Sequence, residues 1–172
     1  MSRLDDVINK LNKSVGAEII QRGTSRLTYS RIPFTSPKLN AMTYGGIARG
    51  KILEICGVEN GGKSTLALDL CGNSQRIFQE EFEERLQEYK VQYEELINGG
   101  KAKEKLAAKL LIEMEEFEEN GPKVVAYLDL ENTLQTDWAE KLGVDIANIL
   151  LIRPENQTGE QILQMAIDLV DS

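Results

Sequence analysis

Apolar residues recur at two different intervals along this chain, and the two patterns alternate. Three short runs are mostly apolar, which is typical of strands buried in a sheet: KILEIC at residues 51–56, KVVAYLDL at 123–130 and NILLIR at 148–153. After each run, apolar residues are spaced by three or four, which predicts helices over residues 64–76, 136–143 and 159–171. Strands that alternate with helices predict an α/β fold with a parallel central sheet.

The first 44 residues precede this alternating pattern. Residues 3–13 carry a single apolar stripe at helical spacing, with Ser2 as a candidate N-cap. A short helix with one apolar stripe must bury it, either on this chain or on a neighbouring one. Residues 23–50 are rich in Thr, Ser, Pro and Gly, which predicts loops and short strands.

A long helical pattern interrupts the alternation between residues 77 and 120. Apolar residues are spaced by three or four on both sides of a break formed by Asn98, Gly99 and Gly100. The pattern predicts two amphipathic helices joined by a tight turn, that is, an antiparallel hairpin. If the first helix continues the one predicted over residues 64–76, the combined helix would be about 33 residues and about 50 Å long.

The composition is that of an ordinary globular protein, with 41% hydrophobic and 28% charged residues. The chain has no histidine, which excludes histidine-based acid–base catalysis, Cys/His nucleophile pairs and the usual zinc sites. Its two cysteines, Cys56 and Cys71, have apolar sequence neighbours, so we predict two buried free thiols and no disulfide. No apolar run is long enough to cross a membrane, and the N-terminus lacks the apolar core of a secretory signal. We therefore expect no membrane partner and a cytoplasmic location.

The net charge of −8 is concentrated in the predicted hairpin. Residues 77–120 contain 13 Glu and 6 Lys or Arg, a net charge of −7, whereas the rest of the chain has a net charge of −1. A charge run of this kind on helices is commonly a solvated surface, and its sign argues against direct contact with DNA. The alternative to a solvated surface is that the hairpin is a docking arm for a protein partner.

Residues 57–64 read GVENGGKS, which fits the phosphate-loop pattern G-x-x-x-x-G-K-[ST]. Glycines allow the positive φ angles that turn backbone N–H groups toward phosphates, and the helix that follows adds the positive end of its dipole. A chance glycine-rich turn would lack the flanking strand and helix, and a dinucleotide-binding loop would lack Lys63. We therefore predict that this loop binds ATP with Mg²⁺.

Two residues of the loop have distinct predicted roles. Lys63 would reach the β and γ phosphates, and the Ser64 hydroxyl would ligate Mg²⁺. The predicted nucleotide-binding residues of the loop are Gly57, Val58, Glu59, Asn60, Gly61, Gly62, Lys63, Ser64 and Thr65.

Three stretches of the chain are informative in combination. The first is GGIARGKILEIC followed by the phosphate loop, the second is YLDLE followed by WAEKLGVD, and the third is TGEQ at residues 158–161. In their order and their spacing after Asp129, they resemble the RecA-type recombinases, over most of residues 45–76 and 123–172. The phosphate loop alone is shared by many families. Its combination with EKLGVD and TGEQ makes the resemblance to this family more specific.

The resemblance implies a RecA-like P-loop ATPase core that forms a filament on single-stranded DNA and acts in homologous recombination and DNA repair. In this division, residues 1–44 are an N-terminal helix and lead-in that pack on the next protomer, residues 45–76 and 121–172 form the core, and residues 77–120 are an inserted acidic antiparallel helical hairpin. A ring helicase or a repair-type homologue with the same core is one alternative. A catalytically inert nucleotide-binding module that docks a partner is another.

By position, the resemblance implies a catalytic role for Glu131 together with Lys63. Glu131 follows the C-terminal end of a predicted strand, where α/β sheets hold ligands, and a carboxylate there could orient or deprotonate the attacking water. The alternative is an ordinary carboxylate at the end of a strand. Trp138 has the place of an aromatic residue that stacks on adenine, although a core contact of its helix is equally compatible. Gln135 departs from the acidic adenine contact that is common in the family.

The resemblance also implies parts that this sequence does not contain. In the family, the TGEQ helix leads to a strand with a metal-binding aspartate and then to the DNA-contacting loops. We therefore expect a fragment whose core is incomplete at its C-terminus. On its own, such a fragment would bind nucleotide weakly, hydrolyse ATP poorly and not exchange strands.

Overall fold

The computed structural model describes residues 3–16, 20, 29–99 and 103–171 of the chain. These residues belong to two compact units, divided after residue 30. None of the described helices is both long enough and apolar enough to cross a membrane.

The first unit contains helix α1, Arg3–Val15, which confirms the predicted N-terminal helix. Acidic residues in its first turn and Lys13 in its last turn complement the helix dipole. The helix ends at Gly16, whose φ of +72° is the left-handed conformation common after helices. Apolar residues of its stripe are 44–59% exposed: Leu4, Val7, Leu11 and Val15. The predicted cap Ser2 lies outside the described residues.

The second unit begins with a small antiparallel pair of strands, β1 (Arg31–Ile32) and β2 (Ile47–Ala48), which flank helix α2 (Pro37–Met42). The sequence predicted only loops and short strands here, so α2 was missed. Its start is encoded locally, because the Ser36 side chain accepts a hydrogen bond from the Leu39 amide and Pro37 occupies the first turn. Residues 23–28 of that predicted segment lie outside the described residues.

A parallel pair of strands, β3 (Val125–Leu128) and β4 (Ile149–Ile152), confirms two of the three predicted strands. Their register pairs Leu128 with Ile152, so the residues that follow both strands emerge side by side. Helix α5 (Thr136–Lys141) and a 3-10 turn (Ile146–Asn148) connect them, and helix α6 (Gly159–Asp171) follows β4.

The prediction of a strand over residues 51–56 is wrong. This segment forms no strand, and Ile52 and Leu53 are 102% and 48% exposed. A strand is stable only when a neighbour satisfies its backbone groups, and in the described part of the chain only β1–β2 and β3–β4 pair. The prediction of a buried thiol at Cys56 fails for the same reason, since Cys56 is exposed. Cys71 is a partly buried free thiol, and burial raises its pKa.

Helices α3 (Lys63–Asn98) and α4 (Glu104–Asn120) pack side by side. The first helix does continue without a break from the phosphate loop, and its 36 residues make it longer than expected. Phe117 of α4 stacks on Phe82 and lies against Tyr89, with ring centroids 5.0 and 5.5 Å apart. The helices therefore contact each other through the apolar spacing that predicted them. The predicted breaker residue Gly100 lies outside the described residues.

The core of the second unit consists of Leu68, Ala139 and Val144, with partly buried residues such as Tyr127 and Leu134 packed around them. Gly72 allows α3 to approach closely, because a Cβ atom there would lie only 2.7 Å from the carbonyl oxygen of Gly143. The core thus joins α3 to β3 and α5.

Arg49 links the segment before the phosphate loop to the outer part of α3. It forms a two-pronged ion pair with Glu81, and its guanidinium lies 5.0 Å from the centre of the Phe78 ring. Hydrogen bonding from Arg49 holds the pKa of the Glu81 carboxyl below its ordinary value.

Candidate nucleotide-binding site

The loop of residues 57–62 owes its shape to its glycines. Gly62 has a φ of +81° and immediately precedes α3. A tight turn brings the Gly61 amide to 3.1 Å from the Val58 carbonyl oxygen, and a Cβ atom at Gly61 would lie 2.9 Å from that oxygen. Asn60 also adopts a positive φ of +56°, which asparagine tolerates better than most residues. The loop is exposed, so its backbone is accessible to a ligand.

Lys63 is the first residue of α3, and its side chain folds back over the loop. Its ammonium lies 2.8 Å from the Val58 carbonyl oxygen and 3.1 Å from that of Gly57. The positive charge is therefore held over the exposed loop. Bonds between two charged groups are shorter and stronger than those to a neutral carbonyl, so an anion at the loop would compete well for this ammonium.

The N-terminus of α3 adds donors to the site. The first N–H groups of any helix lack acceptors within the helix, and the first bond here runs from the Leu66 amide to the Gly62 carbonyl. The amides before Leu66 lie at the positive end of a 36-residue helix. Ser64 is exposed in this first turn, and Thr65 is partly buried.

Contacts along α3 fix its direction relative to the strands. Leu68 belongs to the core cluster against which Tyr127 of β3 packs. Two turns later, the Gln75 amide donates to the carbonyls of Asp145 and Asn148, just before β4 begins, at 2.9 and 3.2 Å. α3 therefore starts on the side where β3 and β4 end. The phosphate loop and the turn that carries Glu131 lie on the same side of this core.

Glu131 lies in an exposed turn two residues after Asp129, the residue that directly follows β3. The next residue, Asn132, has a φ of +53°, so the turn is held in a conformation that few side chains adopt. Trp138 lies in the first turns of α5 and is 45% exposed. Its neighbour Ala139 is the residue of α5 in the core cluster, whereas the Trp138 indole is half-exposed. Gln135 precedes α5 without capping it through its side chain.

Asp129 and Arg153 are the two site residues to which the sequence argument gave no role. The carboxylate of Asp129 is 4% exposed and accepts hydrogen bonds from the amides of Thr133 and Leu134, both at 3.1 Å. Arg153 Nε donates to the same carboxylate at 3.3 Å. Burial opposes ionisation of Asp129, but the two amides and Arg153 outweigh it and hold the pKa of this carboxyl below its ordinary value. The available signal was position, because each residue directly follows one of two parallel strands.

Comparison of the sequence with known proteins places the chain in a family. Residues 2–80 and 96–172 match the family described as RecA N-terminal domain. The residues between these two ranges, 81–95, lie in the outer part of α3.

Individual relatives agree. The chain is 30% identical over 172 residues to Protein RecA of Acidothermus cellulolyticus, which covers 98% of the chain and 36% of that protein. It is 31% identical to Protein RecA of Enterococcus faecium, with the same two shares, and 28% identical to that of Heliobacterium modesticaldum, with shares of 100% and 38%. The chain thus spans little more than a third of the length of these relatives. Because the family match covers both the phosphate loop and the β3–β4 region, the chain belongs to the RecA family and corresponds to its N-terminal domain.

Proposed function

We propose that residues 57–65 bind ATP with Mg²⁺. The observation that carries this proposal is the position of the Lys63 ammonium, which is held over an exposed glycine loop at the N-terminus of a long helix. Backbone N–H groups, the helix dipole and one compact positive charge together suit the triphosphate of a nucleotide.

The residues of the loop fit the metal as well as the phosphates. Mg²⁺ in nucleotide sites takes one or two protein oxygens besides phosphate and water, and it neutralises charge on the β and γ phosphates. The exposed Ser64 hydroxyl is the protein oxygen that we assign to it. Lys63 would leave the loop carbonyls for the phosphates, and the Gly61 and Gly62 backbone would leave room for them.

Two further residues complete the proposed site. Glu131 would orient the attacking water or take its proton, from a turn on the same side of the core as the phosphate loop. Trp138 would stack on the adenine ring through its exposed face. The core that supports both residues would be a P-loop ATPase core, of which β3 and β4 are the parallel strands.

For the whole protein, we propose a recombinase that forms an ATP-dependent filament on single-stranded DNA, in homologous recombination and DNA repair. Membership of the RecA family supports this proposal. The exposed stripe of α1 is suited to packing on the next protomer. We also propose that residues 77–120 are an insertion in the core. The family match leaves out residues 81–95 of this segment and includes the rest of it, so it supports the insertion for the outer part of α3 alone.

Titration of the purified chain with MgATP tests the site. Lys63→Ala should weaken binding by at least tenfold, because it removes the charge that meets the phosphates. Lys109→Ala is the matched control, since Lys109 is exposed on α4 in an ion pair with Glu113. Equal affinity for the wild type and Lys63→Ala would reject the proposed site.

ATP hydrolysis with and without single-stranded DNA tests the catalytic role. Glu131→Gln should bind MgATP as the wild type does and lose most of its hydrolysis, because the amide cannot accept a proton. Glu155→Gln, in the exposed loop after β4, is the control. Binding without any DNA-stimulated hydrolysis in the wild type would favour an inert nucleotide-binding module for this chain.

A further inference from the structure

We propose that Arg153 is a positioning residue of the nucleotide site, which acts by holding the buried Asp129 carboxylate that fixes the turn bearing Glu131. This inference rests on the proposed function, because Glu131 is assigned to hydrolysis there. Arg153 itself touches no reacting atom in this arrangement.

Asp129 closes the turn through its carboxylate. Its two carboxylate oxygens accept different amides, Oδ1 that of Thr133 and Oδ2 that of Leu134, both at 3.1 Å. The Asn132 amide bonds back to the Asp129 carbonyl at 3.4 Å. One buried side chain thus closes the loop of residues 129–134 around Glu131.

Arg153 holds the Asp129 carboxylate in place. Its Nε donates to Asp129 Oδ2 at 3.3 Å, and a terminal nitrogen donates to the Leu134 carbonyl oxygen at 3.4 Å. Arg153 therefore holds both the carboxylate and the far end of the same turn. A buried carboxylate without a cationic partner is costly, so removing Arg153 weakens the group that closes the turn.

The turn is also fixed at both ends. At its start, the Asp129 amide donates to the Ile152 carbonyl oxygen at 2.9 Å, which extends the β3–β4 pairing by one bond. At its end, Leu134 packs on the core, and Ala139 of α5 is fully buried. With both ends fixed, the contacts of the Asp129–Arg153 pair within the turn determine how far Glu131 can move.

Hydrogen exchange measured by mass spectrometry, without nucleotide, tests the positioning directly. In Arg153→Ala, the amides of Thr133 and Leu134 should exchange about tenfold faster, the effect of losing one hydrogen bond to a charged group. Arg153→Lys should restore part of the protection, since it keeps the charge but lacks the rigid planar fork of guanidinium donors. The control is Arg85→Ala, which removes an exposed ion pair with Glu88 on α3.

The exchange results can overturn the proposal. Unchanged exchange at residues 133 and 134 in a folded Arg153→Ala protein would reject it. If Arg153→Ala does not fold, Arg153→Lys decides by the same amides, with an increase above the Arg85→Ala control expected.

Single-turnover hydrolysis of MgATP at excess protein tests whether the pair acts through Glu131. Arg153→Ala should slow hydrolysis at least fivefold in the wild-type background with unchanged MgATP affinity, and should have no further effect in Glu131→Gln. An equal loss in both backgrounds would overturn the action through Glu131. A wild type that binds no MgATP would overturn the proposed function instead, and the two failures are distinguishable because exchange is measured without nucleotide.

Discussion

Replacing Gly72 with alanine tests the close approach of α3 to the loop before β4. A Cβ atom at Gly72 would lie 2.7 Å from the carbonyl oxygen of Gly143 and 3.1 Å from the amide nitrogen of Val144. Both are backbone atoms, so the contact is relieved only if α3 or the loop moves. Such a movement would disturb the core around Leu68.

The size of the effect follows from two opposing contributions. At an exposed helix position, the change from glycine to alanine stabilises a helix by about 1 kcal/mol. Forcing an extra methyl group into a packed site costs about 1–3 kcal/mol. Because the atoms that would be contacted at Gly72 belong to the backbone, we expect the upper part of that cost, about 2–3 kcal/mol, and therefore a net loss of about 1–2 kcal/mol in the free energy of unfolding. For a chain of this length, that loss lowers the melting temperature by about 2–8 °C.

Thermal and urea unfolding, followed by the fluorescence of Trp138, measure this loss. Trp138 is the single tryptophan of the chain, and its helix contributes Ala139 to the same core. Gly159→Ala is the matched control, because Gly159 begins α6 and a Cβ atom there would meet nothing within 4 Å. If Gly72→Ala is as stable as Gly159→Ala, the close approach of α3 to Gly143 is refuted.

Three further predictions concern other contacts. Gly46→Ala should lower the free energy of unfolding by more than about 2 kcal/mol, because a Cβ atom would lie 2.1 Å from a carbonyl oxygen of β1. Gly50→Ala, at a φ of +68° rather than the +118° of Gly46 and with open space around it, should lose only about 1 kcal/mol, and equal losses would contradict the clash. Cys56 should react with a thiol reagent many times faster than Cys71, whose pKa is raised by burial, and mass spectrometry of labelled peptides would contradict this if the rates were alike. Because the folded pKa of Asp129 is below its ordinary value, its ionisation stabilises the fold above about pH 4 and this stabilisation is lost as pH falls through the folded pKa. In urea unfolding, Asp129→Asn should therefore be less stable than the wild type at pH 7 by a margin that shrinks below pH 4, whereas a constant margin would contradict the linkage.

The period of the apolar residues was sufficient to predict most of the fold. It found β3, β4 and the helices from α3 to α6, since each has a clear spacing of its own. It failed at residues 51–56, because an apolar run indicates a strand without indicating which neighbour pairs with it. It also missed α2, which is only six residues long and depends on its cap at Ser36 more than on any apolar stripe.

In the candidate site, too, some contacts could be expected from the sequence and others could not. The contacts of Lys63 could be expected from the sequence because its partners, Gly57 and Val58, lie six and five residues away in a recognisable motif. The Asp129–Arg153 pair spans 24 residues, so it depends on the register of two strands and has no motif of its own.

Register nevertheless makes some distant contacts predictable. Once two apolar runs are assigned to adjacent parallel strands, the residues that follow them must emerge at the same edge of the sheet. Here Leu128 pairs with Ile152, so the next residues, Asp129 and Arg153, are neighbours as a direct consequence. Opposite charges at those two positions are therefore a signal that sequence reasoning could have used, because a carboxylate next to a buried strand end requires a partner. The approach of Gly72 to Gly143 has no such rule, since it depends on how α3 crosses the sheet, and only the structure reveals it.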